Sequence, residues 1–285
     1  MTVTFRKLHP LFAAEAAGVD LSQPLDPSTL EKVITGMDEH AVLVFHGPRL
    51  TEEEQVAFAS RLGPLEPKNG VLSTGLKQRV SPKLVDISNL DENNGLLERN
   101  DRRRMFSLGN RLWHTDSSFK KTPVVPEGGE TQFVDTRAAY DALPARMKQQ
   151  LDELVVEHSI FNSRAKLGFT EFSGEERLAT PPVLRRLVLR HPGSGRKALY
   201  LASHASHIVD WPVPEGRILL QDLIEHATQP QFVHTHRWQV GDLVIWDNRC
   251  TMHRARPFDA DAYSRDMRRA TVQDRDPAQQ DLRVA

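Results

Sequence analysis

Two histidines and one aspartate are the residues best suited to chemistry in this chain. His114 and Asp116 stand two positions apart, and His253 lies far along the sequence. Two imidazoles and a carboxylate can hold Fe(II) on one face and leave the other face open for a cosubstrate and O2. On a β-strand, side chains two positions apart point the same way, so His114 and Asp116 can reach one ion. If His253 meets them in space, the pattern predicts an oxygen-activating enzyme.

A His-x-Asp pair is a weak signal by itself. Short metal motifs match by chance, and an isolated pair is more often a surface pair that only hydrogen-bonds. Further imidazoles are available, and a zinc hydrolase could use several of them. They occur as two close pairs, His204 with His207 and His234 with His236. Their simpler role is hydrogen bonding within or beside a sheet.

The run from Arg265 to Thr271 is the third element that could do chemistry. In a strand its odd-numbered positions share one face, so Arg265 and Arg269 can enter the same cavity. A planar guanidinium donates two parallel hydrogen bonds to a carboxylate, which suits the binding of anionic ligands. The alternative is a solvated basic strand end.

The composition narrows the class of protein. The 285 residues include 37 Lys plus Arg against 38 Asp plus Glu, a balance that gives no electrostatic footprint for nucleic acid or an anionic membrane. Cys250 is the lone cysteine, which excludes an internal disulfide and any multi-cysteine metal site within one chain. No stretch approaches the roughly 20 apolar residues of a membrane helix, and the N-terminal residues lack an apolar signal core. We expect one cytoplasmic domain spanning 1–285.

The hydrophobic pattern predicts short strands with helices outside them. The region 69–110 is polar and is expected to form an active-site loop, with a strand only at 84–87. Helices are expected at 30–40, after a Thr51 capping box, from 138 to about 158 and at 215–227, and strands at 41–45, 186–189, 198–201 and 243–246. This order favours a mainly β fold with flanking helices, a double-stranded β-helix (jelly-roll) barrel whose mouth can hold a metal and small ligands.

Several motifs together resemble one known family. They are His114-Thr115-Asp116, Gly128-Gly129-Glu130-Thr131, Trp246-Asp247-Asn248-Arg249, His253 and the run from Arg265 to Thr271. In combination they resemble the taurine dioxygenase family of Fe(II)/2-oxoglutarate-dependent oxygenases. Within that family, the chain is similar over nearly its whole length to enzymes that act on aryloxyacetates.

The resemblance implies a role for each matching residue. It implies iron ligation by His114, Asp116 and His253. It implies that Thr131 and Arg265 hold the distal carboxylate of 2-oxoglutarate and that Trp246 lines the same site. For the main substrate, it implies that Arg269 pairs with the acidic group and that Asn110 lines the pocket near the iron. Ser88 and Asn89 are weaker pocket candidates.

The resemblance also implies a reaction and its partners. Fe(II) is the cofactor, and 2-oxoglutarate and O2 are the cosubstrates. Hydroxylation of an aryloxyacetate next to the ether oxygen yields a phenol and glyoxylate, with release of succinate and CO2. The alternatives are a taurine or alkylsulfonate dioxygenase, since an arginine binds either anion, and a non-catalytic jelly-roll binding protein. The expected partner is a small carboxylic or sulfonic acid, without nucleic acid or membrane, and a homo-oligomer is left open.

One segment departs from the family pattern. Lys120–Glu127 is shorter than its counterpart, which normally includes a core strand. The chain either carries a real deletion or lacks part of this segment in the sequence. A missing piece leaves the ligand assignments standing, whereas a deletion affects the completeness of the barrel and the placement of Thr131.

Overall fold

A computed structural model describes residues 2–66, 79–115, 118–119 and 129–273, with only the backbone at 118–119. The α-helices in these ranges are α1 (Pro27–His40), α2 (Glu52–Leu62), α3 (Arg102–Ser107), α4 (Thr136–Asp141), α5 (Ala145–Leu151), α6 (Ile160–Ala165), α7 (Gly174–Ala179) and α8 (Val213–Ala227). Short 3-10 helices lie at Leu108–Arg111 and Pro230–Phe232.

The strands are short and spread over the whole described chain. They are β1 (Thr4–Lys7), β2 (Ala14–Ala17), β3 (Val42–Phe45), β4 (Val85–Asp86), β5 (Ser118–Phe119), β6 (Thr131–Asp135), β7 (Val155–His158), β8 (Val183–Arg186), β9 (Val188–Arg190), β10 (Lys197–Leu199), β11 (Ala205–Ile208), β12 (Val233–His236), β13 (Leu243–Trp246), β14 (Thr251–Ala255) and β15 (Arg268–Arg269). The fold therefore mixes sheets and helices.

Local capping explains where the first two helices begin. Asp26 accepts from the backbone amides of Ser28 and Thr29, with Pro27 at the first helical position, so α1 starts three residues before the predicted Leu30. The predicted capping box of α2 is confirmed. Thr51 accepts from the amide of Glu54, whose side chain in turn accepts from the amide of Thr51.

The predicted helix from 138 to about 158 is wrong in its second half. The chain instead forms α4 and α5, separated by Leu143-Pro144, and then the strand β7. Val155 and Val156 are β-branched residues that favour a strand, and β7 pairs with both β8 and β11. Tertiary pairing has overridden the helical spacing of the apolar residues.

The expected loop at 69–110 contains a helix. Residues 67–78 lie outside the described part of the chain, but α3 forms at Arg102–Ser107. Asp101 caps it by accepting from the amide of Arg103, and this capping residue was a usable signal. The helix leads directly into the 3-10 turn Leu108–Arg111, which lies next to β14.

Two sheets carry three of the predicted site residues, Thr131, Trp246 and His253. The larger has the order β1-β2-β3-β13-β5, and a second has the order β12-β6-β14. Alternate residues of β3 and β13 point to opposite sides: Leu43 and Ile245 pack in the cluster that includes Val33 and Phe58 of α1 and α2. The other face of the larger sheet meets Phe133 of β6 in an inner apolar layer.

The remaining strands form smaller units. β11-β7-β8 is a three-stranded sheet, β9 pairs with β10, and β4 pairs with β15. Across the described residues the strands belong to five separate sheets, and these do not close into a barrel. The predicted short segment Lys120–Glu127 lies outside the described residues. In the ranges that are described, no helix is long and apolar enough to cross a membrane.

Candidate metal and cosubstrate site

His114 and His253 are adjacent in space although 139 positions separate their numbers. Their backbones form an isolated antiparallel bridge, with N–H to O distances of 2.9 and 2.7 Å. Directly opposite residues in such a bridge point to the same side, and the two imidazole centroids are 4.2 Å apart. Both residues are buried, with 5% and 3% of their surface exposed. The structure thus brings two of the three predicted ligands together.

The ring of His114 has the orientation of a metal ligand. Its Nδ1 lies 2.8 Å from the carbonyl oxygen of Leu112, so Nδ1 carries the proton and Nε2 presents a lone pair. A ligating histidine commonly donates its other ring N–H to a carbonyl, which fixes the tautomer. The donor set therefore suits a divalent transition metal. Asp116, the predicted third ligand, lies outside the described residues.

Aromatic rings form one wall beside His253. The centroid of Trp246 is 4.7 Å and that of Phe133 is 6.0 Å from the imidazole. Phe133 is the direct partner of His253 across β6 and β14, which places both on the inner face. Trp246 is 3% exposed and belongs to the same apolar layer. This wall excludes water from one side of the imidazole pair.

Thr131 lies on the same face, two residues along β6 from Phe133. Two residues of strand span roughly 6.8 Å, a length that suits a short dicarboxylate extending from the histidine pair. Thr131 is fully buried, and the indole N–H of Trp238 donates to its Oγ1 at 3.0 Å.

Arg265 approaches the same end of the site. Its Nη2 donates to the carbonyl oxygen of Gly129 at 3.3 Å, just before Thr131 in the chain. The residue is 7% exposed, and burial lowers the pKa of the guanidinium to about 10, so it is still charged at neutral pH. No carboxylate among the described residues pairs with it. A buried cation in that state is suited to binding an anion.

The side chains of Asn89 and Ser88 hydrogen-bond to the backbone, and their role as pocket residues stays a prediction. The Oδ1 of Asn89 accepts from the amide of Arg265 at 2.7 Å, and its Nδ2 donates to the carbonyl oxygens of Ala260 and Tyr263. Ser88 Oγ accepts from the amide of Leu90. Asn89 therefore holds the backbone of Arg265, and its effect on a ligand would be indirect.

Arg269 and Asn110 lie on different elements. Arg269 is partly buried in β15, and burial lowers its pKa to about 10, with Glu66 acting in the opposite sense. The neighbouring Arg268 points to the other side and donates to Gln55 at 2.9 Å. Asn110 lies in the 3-10 turn that leads into His114.

His204 also approaches the histidine pair, although the sequence pattern suggested only hydrogen bonding for it. Its ring centroid is 6.3 Å from that of His114, and its Nδ1 lies 2.9 Å from Ser163 Oγ. Burial, followed by the charge of Arg164, lowers the pKa of His204 to about 4, so it is neutral at pH 7. The sequence carried no spacing that links positions 114 and 204.

A second group of metal-ligand types lies in the turn before β14. His191, Asp247 and Cys250 are buried with their ligand atoms close together. Asp247 is already engaged, because it contacts His191 Nε2 at 2.9 Å and accepts from Arg249. His191 Nδ1 accepts from Ser194 N at 3.0 Å, and burial raises the pKa of the Cys250 thiol. Since these groups satisfy one another, the cluster acts as a brace for the turn that leads to His253.

The comparisons with known proteins agree with this geometry. Residues 4–271 match the model of the family described as taurine catabolism dioxygenase TauD, TfdA family. The chain belongs to this family of dioxygenases. Its cofactor and cosubstrates are therefore Fe(II), 2-oxoglutarate and O2, as the sequence resemblance implied.

Particular relatives narrow the resemblance. The chain is 46% identical over 288 residues to the alpha-ketoglutarate-dependent 2,4-dichlorophenoxyacetate dioxygenase of Cupriavidus pinatubonensis, covering 96% of this chain and 99% of that one. It is 37% identical to the (S)-phenoxypropionate/alpha-ketoglutarate-dioxygenase of Sphingobium herbicidovorans, with 88% of each covered. Among solved structures, AAD-2 in complex with Mn(II) and N-oxalylglycine superposes with a TM-score of 0.91 at 47% identity, covering 95% of this chain and 98% of that one.

Proposed function

We propose that this protein is an Fe(II)/2-oxoglutarate-dependent dioxygenase that hydroxylates an aryloxyacetate-type carboxylic acid and cleaves its ether bond. The observation that carries the proposal is the buried guanidinium of Arg265, which has no carboxylate partner among the described residues and lies at one end of a face that bears two adjacent histidines. An anionic cosubstrate that reaches from the histidines to Arg265 satisfies both features.

The residues divide the work of binding. We assign His114, Asp116 and His253 to the metal. We assign Thr131 and Arg265 to the distal carboxylate of 2-oxoglutarate. Three protein ligands would leave part of the coordination of the metal open for the cosubstrate and O2. Bound Fe(II), 2-oxoglutarate and O2 supply the oxidation, in which the cosubstrate becomes succinate and CO2 and one oxygen atom enters a C–H bond of the substrate. Trp246 and Phe133 keep water away from one side.

The main substrate is positioned by its acidic group. We assign Arg269 to the substrate carboxylate, so that the carbon next to the ether oxygen is turned towards the metal and the aromatic ring away from it. Hydroxylation at that carbon gives a hemiacetal. The hemiacetal collapses by cleavage of the bond between the hydroxylated carbon and the ether oxygen. The oxygen stays on the ring and takes up the hydroxyl proton as a phenol, and the carbon leaves as the aldehyde of glyoxylate.

The relatives support an aryl ether over a sulfonate. The two named above are described as acting on 2,4-dichlorophenoxyacetate and (S)-phenoxypropionate, and both are more similar to this chain than the taurine dioxygenase from Burkholderia xenovorans, at 27% identity. Both phenoxy acids combine an anionic group with an aryl ether. A taurine-type activity is the second candidate, because a guanidinium binds sulfonates as well as carboxylates.

The fold and location are part of the same proposal. We assign the sheets β1-β2-β3-β13-β5 and β12-β6-β14 to the two halves of a double-stranded β-helix, because they face each other across the layer that contains Phe133 and Trp246. We also propose that the chain forms one domain over 1–285, that an active-site loop lies within 69–110, and that the protein is cytoplasmic. The lone Cys250 is consistent with a reducing compartment.

A substrate panel tests the proposed function. The purified protein is incubated with Fe(II), ascorbate and 2-oxoglutarate together with 2,4-dichlorophenoxyacetate, (S)-phenoxypropionate or taurine, and succinate, phenol and glyoxylate are quantified. We expect succinate release to rise with the phenoxy acids, with equimolar phenol. If only taurine increases succinate release, the protein is a sulfonate dioxygenase. If none of the acids increases succinate release, the oxygenase assignment is overturned.

The metal assignment has its own test. His114→Ala and Asp116→Ala should abolish turnover and Mn(II) binding while preserving the melting temperature of the metal-free protein. His207→Ala is the matched control, since His207 lies in β11 and contacts Glu157. Unchanged turnover in the His114 or Asp116 variant would remove that residue from the site.

A further inference from the structure

Trp238 is a conspicuous neighbour of the proposed cosubstrate site. It follows β12 by two residues, and it therefore continues the alternation of His234 and His236 along one side of the strand. His236 lies directly opposite Thr131 in the β12-β6 pair. The indole of Trp238 reaches back to Thr131, and its Nε1 lies 3.0 Å from Oγ1.

The polarity of this bond determines what Thr131 can do. An indole N–H only donates, whereas a hydroxyl has one hydrogen to donate and two lone pairs to accept with. Trp238 therefore occupies a lone pair of Thr131, and the hydroxyl hydrogen is available for an acceptor. Within the described ranges, the bond from Trp238 is the one hydrogen bond of the Thr131 side chain.

We propose that Trp238 is a positioning residue that makes Thr131 a hydrogen-bond donor towards the distal carboxylate of the cosubstrate. The inference rests on the proposed function, because it concerns the end of the site that Arg265 defines. The carboxylate then meets two donors, the guanidinium fork and the hydroxyl. Without Trp238, the hydroxyl of Thr131 is free to rotate, and the donor direction is lost.

A buried carboxylate and the two imidazoles that contact it hold Trp238 in place. Asp242, which is 1% exposed, accepts from the amide of Gln239 at 2.9 Å and so closes the turn that follows Trp238. Two imidazoles contact the same carboxylate, His46 Nδ1 at 2.8 Å and His236 Nε2 at 3.1 Å. The ring of His236 packs edge-on against Trp238 with centroids 4.5 Å apart. The turn, the strand and the indole are thereby fixed as one unit.

Trp238→Phe tests the inference because it keeps an aromatic ring and removes the N–H. Binding is measured by anaerobic calorimetry on Mn(II)-loaded protein with two probes: 2-oxoglutarate, and 2-oxobutyrate, which lacks the distal carboxylate. We expect the Kd for 2-oxoglutarate to rise about 10-fold, the scale of one hydrogen bond to a charged group, while the Kd for 2-oxobutyrate is unchanged. Trp211→Phe is the matched control, since Trp211 packs in a different core cluster.

Thr131→Val gives a second route to the same answer. It should reproduce the selective loss of 2-oxoglutarate binding, and the double variant should lose no more than Thr131→Val alone, because both changes remove the same donated bond. Wild-type affinity in Trp238→Phe, or equal weakening of both probes, overturns the inference and leaves the proposed function intact. Failure of the wild-type protein to bind 2-oxoglutarate overturns both.

Discussion

Two buried arginines of this protein differ in what surrounds them. Arg137 is fully buried at the start of α4, and its guanidinium donates to both carboxylate oxygens of Asp135 and to the backbone carbonyls of Asp38 and Glu39. Arg265 is nearly as buried, but within the described part of the chain its guanidinium donates to one carbonyl, that of Gly129. Burial alone lowers the pKa of either group; nearby negative groups including Asp135 raise that of Arg137, whereas that of Arg265 falls to about 10.

The difference separates a structural cation from a binding cation. A buried charge costs free energy unless it is paired and hydrogen-bonded. We call Arg137 a saturated arginine because its guanidinium is paired with a carboxylate and hydrogen-bonded to carbonyls, and these bonds tie the end of α1 to α4. Arg265 has no carboxylate partner among the described residues, and on the proposed assignment the carboxylate of the cosubstrate supplies one. Arg164 is a further case of this kind. It is 4% exposed, its Nη1 donates to Ser163 Oγ at 3.2 Å, its Nε has no hydrogen-bond partner among the described residues, and it packs over the ring of Phe106.

The largest expected effect is on the saturated arginine. Arg137→Met leaves the fully buried Asp135 without its main partner, and we expect a loss of about 3 to 5 kcal/mol in the free energy of unfolding. Urea denaturation of the metal-free protein measures it. Arg186→Met is the control, because Arg186 pairs with the exposed Glu153 and should cost less than about 1 kcal/mol. Equal costs for the two variants would contradict the distinction.

Arg265 should show the reverse pattern. Arg265→Met is expected to change the free energy of unfolding of the metal-free protein by less than about 1 kcal/mol, because it removes a buried charge that has no carboxylate partner. It should raise the Kd for 2-oxoglutarate by about 100-fold, which corresponds to roughly 2.7 kcal/mol. Calorimetry and urea denaturation give the two numbers.

Arg265→Lys refines this prediction. The ammonium preserves the charge but loses the planar fork, so an intermediate affinity for 2-oxoglutarate is expected. If Arg265→Met instead unfolded the protein as readily as Arg137→Met, Arg265 would be a structural cation like its counterpart, and its assignment to the cosubstrate would fail.

Part of this site could be predicted from residue types and spacing. The run from Arg265 to Thr271 follows the expected alternation only in part. Arg265 and Met267 are buried and Arg268 donates to Gln55, but only Arg268–Arg269 forms a strand and Ala270, on the opposite set of positions, is fully buried. The approach of His253 to His114 followed from the ligand chemistry that the two residues offer. Their role as iron ligands stays a prediction, as does that of Asp116.

Other features depend on tertiary pairing that no local pattern contains. The bond from Trp238 to Thr131 exists because β12 pairs with β6, which lies about a hundred residues earlier. Alternation along β12 places Trp238 on the same side as His236, and this could be predicted from the sequence. Its contact with Thr131 could not be predicted. Likewise β7 is a strand because β8 and β11 flank it, although its apolar residues also fit helical spacing.

Arg269 extends the comparison to the main substrate. Arg269→Ala should raise the KM for the phenoxy acid by about 10-fold to 100-fold and change the KM for 2-oxoglutarate less than about 2-fold, since an ion pair with one ligand is lost. Steady-state kinetics with succinate detection measures both constants. Arg268→Ala is the matched neighbour, because its guanidinium serves Gln55 and Glu52 and should leave both KM values unchanged. Equal effects of Arg269→Ala on the two KM values would contradict the assignment of Arg269 to the main substrate and Arg265 to 2-oxoglutarate.

His158 shows how a buried group without a partner avoids the cost that Arg265 bears. Its Nε2 is buried and has no hydrogen-bond partner in the parts of the chain that the structure describes. Burial lowers its pKa from 6.5 to about 3, so it stays neutral in the folded protein at neutral pH. The unfolded chain binds the proton near pH 6.5 and the folded chain near pH 3. Stability from this group is therefore complete above pH 6.5 and falls as the pH drops through that window, by about 1 kcal/mol per pH unit.

Replacing His158 should remove this dependence. In His158→Phe, the free energy of unfolding of the metal-free protein should fall less steeply from about pH 6.5 to pH 4 than in the wild type, as measured by urea denaturation at several pH values. His234, whose pKa burial lowers to about 4, adds a second contribution of the same sign, so His158→Phe combined with His234→Phe should be flatter still. If the free energy of unfolding changes with pH equally in all three proteins, these imidazoles accept the proton in the folded state. Burial without a hydrogen-bond partner would then not be enough to keep an imidazole neutral in this core.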